Sequence, residues 1–313
     1  MIAVKETVYK NFGKCVEMSN GALKTLITVD IGPRIIYYGT ADGRNVFFED
    51  LSREVKRNGA YFDKNFKKGE TWYLYGGHRM WKSPEDDATY IPDNYPVEYE
   101  IKECREQNSR DKKTALFTQK IQENTGLRFR SEVTMFQNGA LKVRHIMENT
   151  GENTVRAAIW GISVMKGGGF AAVPLNEPNT GFLPSNNFSF WPYDDHADKR
   201  MSFIPGYLIL SHDENIEKPF KIGLMCKKKI AAYSNDGLTF VKKFGRQNGA
   251  EYPDGNCNFE SYISGLIAEF EALSPIFSIE AGQSAEHTEE FFIFEKELPP
   301  DKESLDRFFG ELN

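Results

Sequence analysis

Two stretches of the sequence concentrate side chains able to bind a ligand or move a proton. Residues 75–97, "YGGHRMWKSPEDDATYIPDNYPV", hold His78, Arg79 and Trp81 among acids and prolines. Gly76 and Gly77 precede the histidine, and residues without a Cβ let a backbone turn sharply and a ligand come close. An imidazole there would titrate near neutral pH. In "GLIAEFEAL", residues 265–273, Glu269 and Glu271 alternate with apolar side chains. Same-face neighbours in a strand lie about 7 Å apart, so the two carboxylates project side by side. They read either as a solvated face or as the lining of a cleft, where burial and the neighbouring charge raise one pKa and make that carboxylate a general base.

Trp81, Trp160, Trp191 and Tyr193 are the aromatic candidates, and three of the four tryptophans fall in or beside irregular segments. They read as core fillers or as flat walls for a sugar ring, whose hydroxyls acids and arginines would take. Glu260, in "NFESY", is a further acid for the same cleft. Arg34, Arg79 and Arg200 raise the prospect of a carboxylate or phosphate on the ligand, because a guanidinium fork pairs with such groups. Arg34 follows Gly32 and Pro33 and reads equally as a brace for a strand end. His145 alternates onto the apolar face of Val143 and Met147 and reads as a hydrogen-bonded core histidine.

Other chemistries lack their usual signals. The five histidines are far apart in the sequence and none has a partner at ligand spacing, so no metal is expected. "MKGGGFAAVP" has glycines without the G-x-G-x-x-G or Walker spacing, and no G-x-S-x-G elbow is present, so no nucleotide cofactor is expected. A net charge of -6 repels phosphate backbones and argues against nucleic acid. The runs Lys227–Lys229 and Lys242–Lys243 read as solvated strand faces. No run approaches the roughly 18 apolar residues of a membrane span, and the start of the chain lacks a signal-peptide core, so a cytoplasmic protein is expected. Cys15, Cys104, Cys226 and Cys257 are scattered and read as reduced thiols. Nothing in the sequence fixes an oligomeric state.

The elements that must position these residues are strands. Period-two alternation marks "ALKTLITVDI", "RFRSEVTMF" and "LKVRHIM", the last two joined by the turn sequence "QNGA". "KPFKIGLM", "LTFVKKF", "SGLIAEFEAL" and "EEFFIFEK" continue the pattern between Gly, Asn, Asp and Pro clusters. Only the C-terminus reads as helix, capped by Asp301 and carrying Leu305, Phe308, Phe309 and Leu312 at helical spacing over an edge or end of a sheet. With 313 residues, 40% of them hydrophobic, and no linker, the chain is expected to form one antiparallel all-β domain over residues 1–313. Residues 50–70, 76–96, 166–200 and 245–258 are read as long loops, which often line binding sites.

"NFESYISGLIAEFEALSPIFSIEAGQSAEHTEEFFIF" resembles the closing strands of the galactose mutarotase-like superfamily, the aldose 1-epimerases and their relatives. "TVDIGPRIIYYG", "GGHRMWKSPE", "AIWGISVMKGGGFAAVP", "WPYDDHADKR" and "EYPDGN" are similar to pieces of a poorly characterised branch of it, and together they span roughly residues 20–295. The resemblance implies a β-supersandwich of two large antiparallel sheets with a sugar, or a sugar derivative, in an open cleft. It implies Glu269 as the base at the anomeric hydroxyl, with Glu271 next in line, and His78 as the first of two family histidines. The second histidine has no counterpart, since the matching stretch reads "GISVMKGG". Two functions follow from the resemblance: an epimerase-like isomerase working by glutamate and histidine, or a carbohydrate-recognition protein without catalysis.

Overall fold

The computed structural model describes residues 1–102, 111–177 and 181–312; Cys104 lies outside them. Two large antiparallel sheets pack face to face. One has eleven strands: in spatial order Ala3–Val8, Lys14–Ser19, Leu23–Thr28, Ile35–Thr40, Gly77–Ser83, Val155–Met165, Ala268–Leu273, Phe259–Ile263, Phe220–Leu224 and Phe188–Phe190, with Phe277–Ile279 paired beside Val155–Met165. The other has ten: Met201–Ile204, Tyr207–Ser211, Phe170–Pro174, Ile230–Asn235, Leu238–Phe244, Ser284–Phe294, Leu141–Asn149, Leu127–Phe136, Lys112–Thr118 and Glu98–Lys102. No helix among the described residues is long and apolar enough to cross a membrane.

Apolar residues of both sheets meet between the layers, which is why the strands alternate as they do. Phe270 of the eleven-stranded sheet and Phe240 and Phe291 of the other interlock edge to face, at 6.1 Å for Phe240–Phe270 and 5.2 Å for Phe240–Phe291. Tyr38 crosses the same gap, its hydroxyl donating to the Phe291 carbonyl at 3.2 Å. The C-terminal helix, Lys302–Glu311, starts where expected, with the Asp301 carboxylate accepting from the Ser304 amide. It covers the outer face of the ten-stranded sheet rather than an edge, with Leu305, Phe308 and Phe309 against Tyr207, Ile209 and Val241.

Three expectations need correction. Gly77–Ser83 is a central strand, not a loop, paired along its length with Val155–Met165. Gly76 and Gly77 admit neighbouring backbone, not a ligand: a Cβ there would lie 2.1 Å from the Phe48 carbonyl and 2.5 Å from the Ile35 carbonyl. Lys242 is no solvated strand residue but is fully buried between the sheets. Cys15, Cys226 and Cys257 are free buried thiols.

Candidate functional site

Because Gly77–Ser83 is a strand, His78 and Arg79 point to opposite faces of the eleven-stranded sheet. Register then fixes what joins each. On the outer face Arg79 lies opposite Ile162, which lies opposite Glu271, which lies opposite Glu260. One step along, Val164, Glu269, Tyr262 and Lys221 form the next row. One step the other way come Trp81, Trp160 and Leu273. The strand spacing thus gathers residues 79, 81, 160, 221, 260, 262, 269 and 271 without a single loop contribution.

This outer-face cluster is built on charge and aromatic rings. Arg79 Nη2 donates to Glu269 Oε1 at 3.0 Å, and its guanidinium lies 4.3 Å from the Trp81 ring centroid. Lys221 Nζ sits 2.8 Å from Glu260 Oε2 and 3.2 Å from Glu271 Oε2. The same ammonium is 4.4 Å from the Trp160 ring and 4.6 Å from the Trp191 ring, a cation–π sandwich. Trp160 Nε1–H donates to Glu271 Oε2 at 2.8 Å. Arg79 Nε and Nη1, Glu260 Oε1 and Glu271 Oε1 are buried without a hydrogen-bond partner. Glu269 keeps 14% of its side chain exposed, Trp191 is half-buried and Tyr193 is exposed. Beside this floor lies a hollow of about 670 Å³, walled by Arg57, Tyr61, Glu85, Tyr90, Trp191 and Asp254. Tyr90 links the two, its ring 4.9 Å from Trp81. A second hollow, about 540 Å³ and lined by Ile91, Tyr95 and Gln119, holds none of the cluster's residues.

Two buried carboxylates face one ammonium, so the trio is neutral only with one shared proton. Burial, with Glu271 nearby, raises the Glu260 pKa well above its ordinary value of 4.5, and burial raises Glu271 also. Burial disfavours the Lys221 ammonium too, but Glu271 and Glu260 outweigh it and lift its pKa well above the ordinary lysine range. Burial thus favours a proton on the Glu260–Glu271 pair beside the Lys221 ammonium. A carboxyl whose folded pKa is raised binds its proton more tightly in the folded state, so stability is full below pH 4.5 and declines as pH rises through the raised value. Glu260→Gln should flatten that decline, and urea midpoints measured from pH 4.5 upward will show it; an unchanged slope would mean the proton is not held there.

The inner face carries His78. Its Nδ1 is 2.9 Å from Ser163 Oγ and its Nε2 is 2.9 Å from His145 Nε2. Burial lowers its pKa well below 6.5, with Lys242, His145 and Arg79 acting in the same sense, so the ring is neutral at pH 7. His78 therefore does not reach a ligand on the outer face, and the pairing of His78 with Glu269 across one cleft is overturned by strand alternation. Ser163, within "GISVMKGG", places its hydroxyl against His78 Nδ1. His145 is buried and hydrogen-bonded, as its alternation implies.

Arg34 takes the bracing alternative of its two readings and not the ligand-binding one, and Arg200 is corrected. Arg34 is buried and grips Asp93 with Nη2, at 3.1 Å and 2.8 Å from the two carboxylate oxygens. Arg200 makes a two-pronged pair with Asp198 and donates to the Lys218 and Ile263 carbonyls. Both brace loops, and neither joins the outer-face cluster. Sequence reasoning missed Lys221, Tyr262 and Tyr90. Lys221 left a signal: it is the lone cation between Phe220 and Ile222 in an apolar strand.

No protein-family pattern matches the chain, and no curated protein matches it. Solved structures do. A TPR-domain containing protein from Parabacteroides distasonis is similar at 12% identity and a TM-score of 0.62, over 93% of this chain and 48% of its own. The chain thus spans about half the length of that protein. A galactose mutarotase-like protein from Clostridium acetobutylicum is similar at 13% identity and a TM-score of 0.55, over 94% of this chain and 98% of its own. Another, from Lactobacillus casei, gives 11% identity and 0.53 over 90% and 100%. At such identities the likeness is one of architecture, and it agrees with the two-sheet body described above: this chain has the galactose mutarotase-like fold.

Proposed function

We propose that the outer face of the eleven-stranded sheet recognises a saccharide, with Glu269 and Arg79 reaching its hydroxyls and Trp191 and Tyr193 covering its apolar face. The observation that carries this is the Lys221 ammonium held between two indole rings and two buried carboxylates, in the same register row as a partly exposed Glu269. Rings beside fixed donors and acceptors suit a sugar, which offers C–H faces and hydroxyls together. The adjoining hollow of about 670 Å³ is large enough for one or two sugar rings. The ligand is neutral on this reading, because Arg34, Arg79 and Arg200 each already pair with a carboxylate.

Recognition without mutarotation fits the geometry best, since the family's glutamate–histidine couple is divided between two faces of one sheet. The raised pKa values of Glu260 and Glu271 favour one alternative, in which that pair is the acid and Glu269 the base. Calorimetric titration with a panel of aldoses tests the site. Glu269→Gln should weaken binding about 10–100-fold, the worth of a hydrogen bond to a charged group. Uronic acids should bind no tighter than their parent aldoses. Anomer exchange followed by NMR should run at its uncatalysed rate; acceleration abolished by Glu269→Gln would establish the alternative, and the absence of any saccharide binding would remove both.

A further inference from the structure

The inner face assembles a second cluster that the saccharide reading does not use. His78 comes from the eleven-stranded sheet, and His145 and Glu289 from the ten-stranded one. All three are fully buried. His78 Nε2 lies 2.9 Å from His145 Nε2 and 3.4 Å from Glu289 Oε2, and His145 Nε2 lies 3.8 Å from that same oxygen. Zinc holds nitrogen and oxygen donors at about 2.0–2.2 Å in a tetrahedron, which sets its donors about 3.4 Å apart. The three observed separations straddle that figure.

We propose that His78, His145 and Glu289 form a buried divalent-metal site of the zinc type that clips the two sheets together. A set of two imidazoles and one carboxylate, all borderline donors, suits zinc better than calcium or magnesium, which prefer oxygen alone. Two further observations point to a ligand. Neither carboxylate oxygen of Glu289 has a hydrogen-bond partner, although the group is wholly buried. The outward nitrogens are tied as metal-bound histidines require: His78 Nδ1 to Ser163 Oγ at 2.9 Å, and His145 Nδ1 to Ser131 Oγ at 3.4 Å. Both Nε2 atoms therefore converge on one point.

The surrounding charges are compatible with a cation at Oε2. Lys242 and His287 approach the other oxygen, Nζ at 3.6 Å and Nε2 at 3.8 Å from Oε1. Lys242 is held there by donation to the Gly161 and Phe270 carbonyls, at 3.2 Å and 2.9 Å. Gly161 makes room for the carboxylate, since a Cβ on it would lie 2.2 Å from Glu289 Oε1. Such a site is enclosed on all sides, so the ion enters as the sheets close and its binding energy adds to folding.

The test uses the full chain, unfolded with EDTA and refolded with one equivalent of Co2+ or with EDTA alone, then desalted. The expected result is one Co2+ per chain with intense tetrahedral visible bands, bleached when Zn2+ displaces the cobalt, and a higher thermal midpoint than the EDTA form. Ser163→Ala should weaken metal affinity about 10–100-fold while the fold persists. His287→Gln should leave the metal bound. Wild-type protein that refolds with no cobalt, or with only the weak bands of an octahedral surface ion, would overturn the site. So would a folded Glu289→Gln or His145→Gln protein that keeps its metal undiminished.

Discussion

Replacing Lys242 by methionine is expected to lower the unfolding free energy of the EDTA-treated protein by about 3–5 kcal/mol, the cost of leaving a buried charge uncompensated. Lys242 and Glu289 are both fully buried, and the ammonium is the positive charge beside that carboxylate. Burial alone would raise the Glu289 pKa, yet Lys242, His78 and His145 hold it well below the usual carboxylate range. Without the lysine, the Gly161 and Phe270 carbonyls also lose a donor. Adding Glu289→Gln to Lys242→Met should restore most of the loss, because replacing a buried pair by neutral groups is often close to neutral. Urea unfolding of the two single variants and the double variant measures this directly. A single-variant loss below about 1 kcal/mol, the level of a surface pair, would show that the lysine does not hold the carboxylate.

Lys221→Met should cost a similar amount, about 3–5 kcal/mol at neutral pH, but with a distinctive pH dependence. Its removal leaves Glu260 and Glu271 facing each other with no counter-charge, and both already have raised pKa values. Their protonated forms are the ones a buried site accepts. The loss should therefore shrink as pH falls toward their ordinary value of 4.5 and grow as pH rises. Thermal or urea midpoints taken across that range will follow the curve. A loss constant with pH would mean that lysine packing, not charge, is what was removed. The same variant should abolish saccharide binding, since the cation between Trp160 and Trp191 goes with it.

Period-two alternation carried much of this structure on the surface of the sequence. It put Glu269 and Glu271 on one face, and they share it. It put His145 in the core, where it lies. Applied to "GGHRMWKS", the same rule separates His78 from Arg79; the two glycines and the nearby prolines made that stretch read as a loop and hid the separation. The glycines are there because neighbouring backbone comes within van der Waals distance. Lys242 misled in the opposite direction: a lysine beside a second lysine looks solvated, and only the carboxylate of residue 289, 47 positions away, explains its burial. The inner cluster was invisible for the same reason, as residues 78, 145 and 289 meet only when two sheets of different strand order are laid together. Trp160, Glu260 and Lys221 likewise lie on separate strands that register, not sequence spacing, brings into contact, and Trp191 joins them from a loop.

The central claim is that the outer face of the eleven-stranded sheet, with Glu269 and without His78, is where a saccharide binds. Side-chain 15N–1H NMR of the four tryptophans and the histidine rings, recorded during titration with aldoses, tests it most directly. The account predicts that the Trp160 and Trp191 indole signals move with saturation while the His78 ring signals stay in place. Movement of His78 with the indoles still, or no indole response to any aldose, would contradict it.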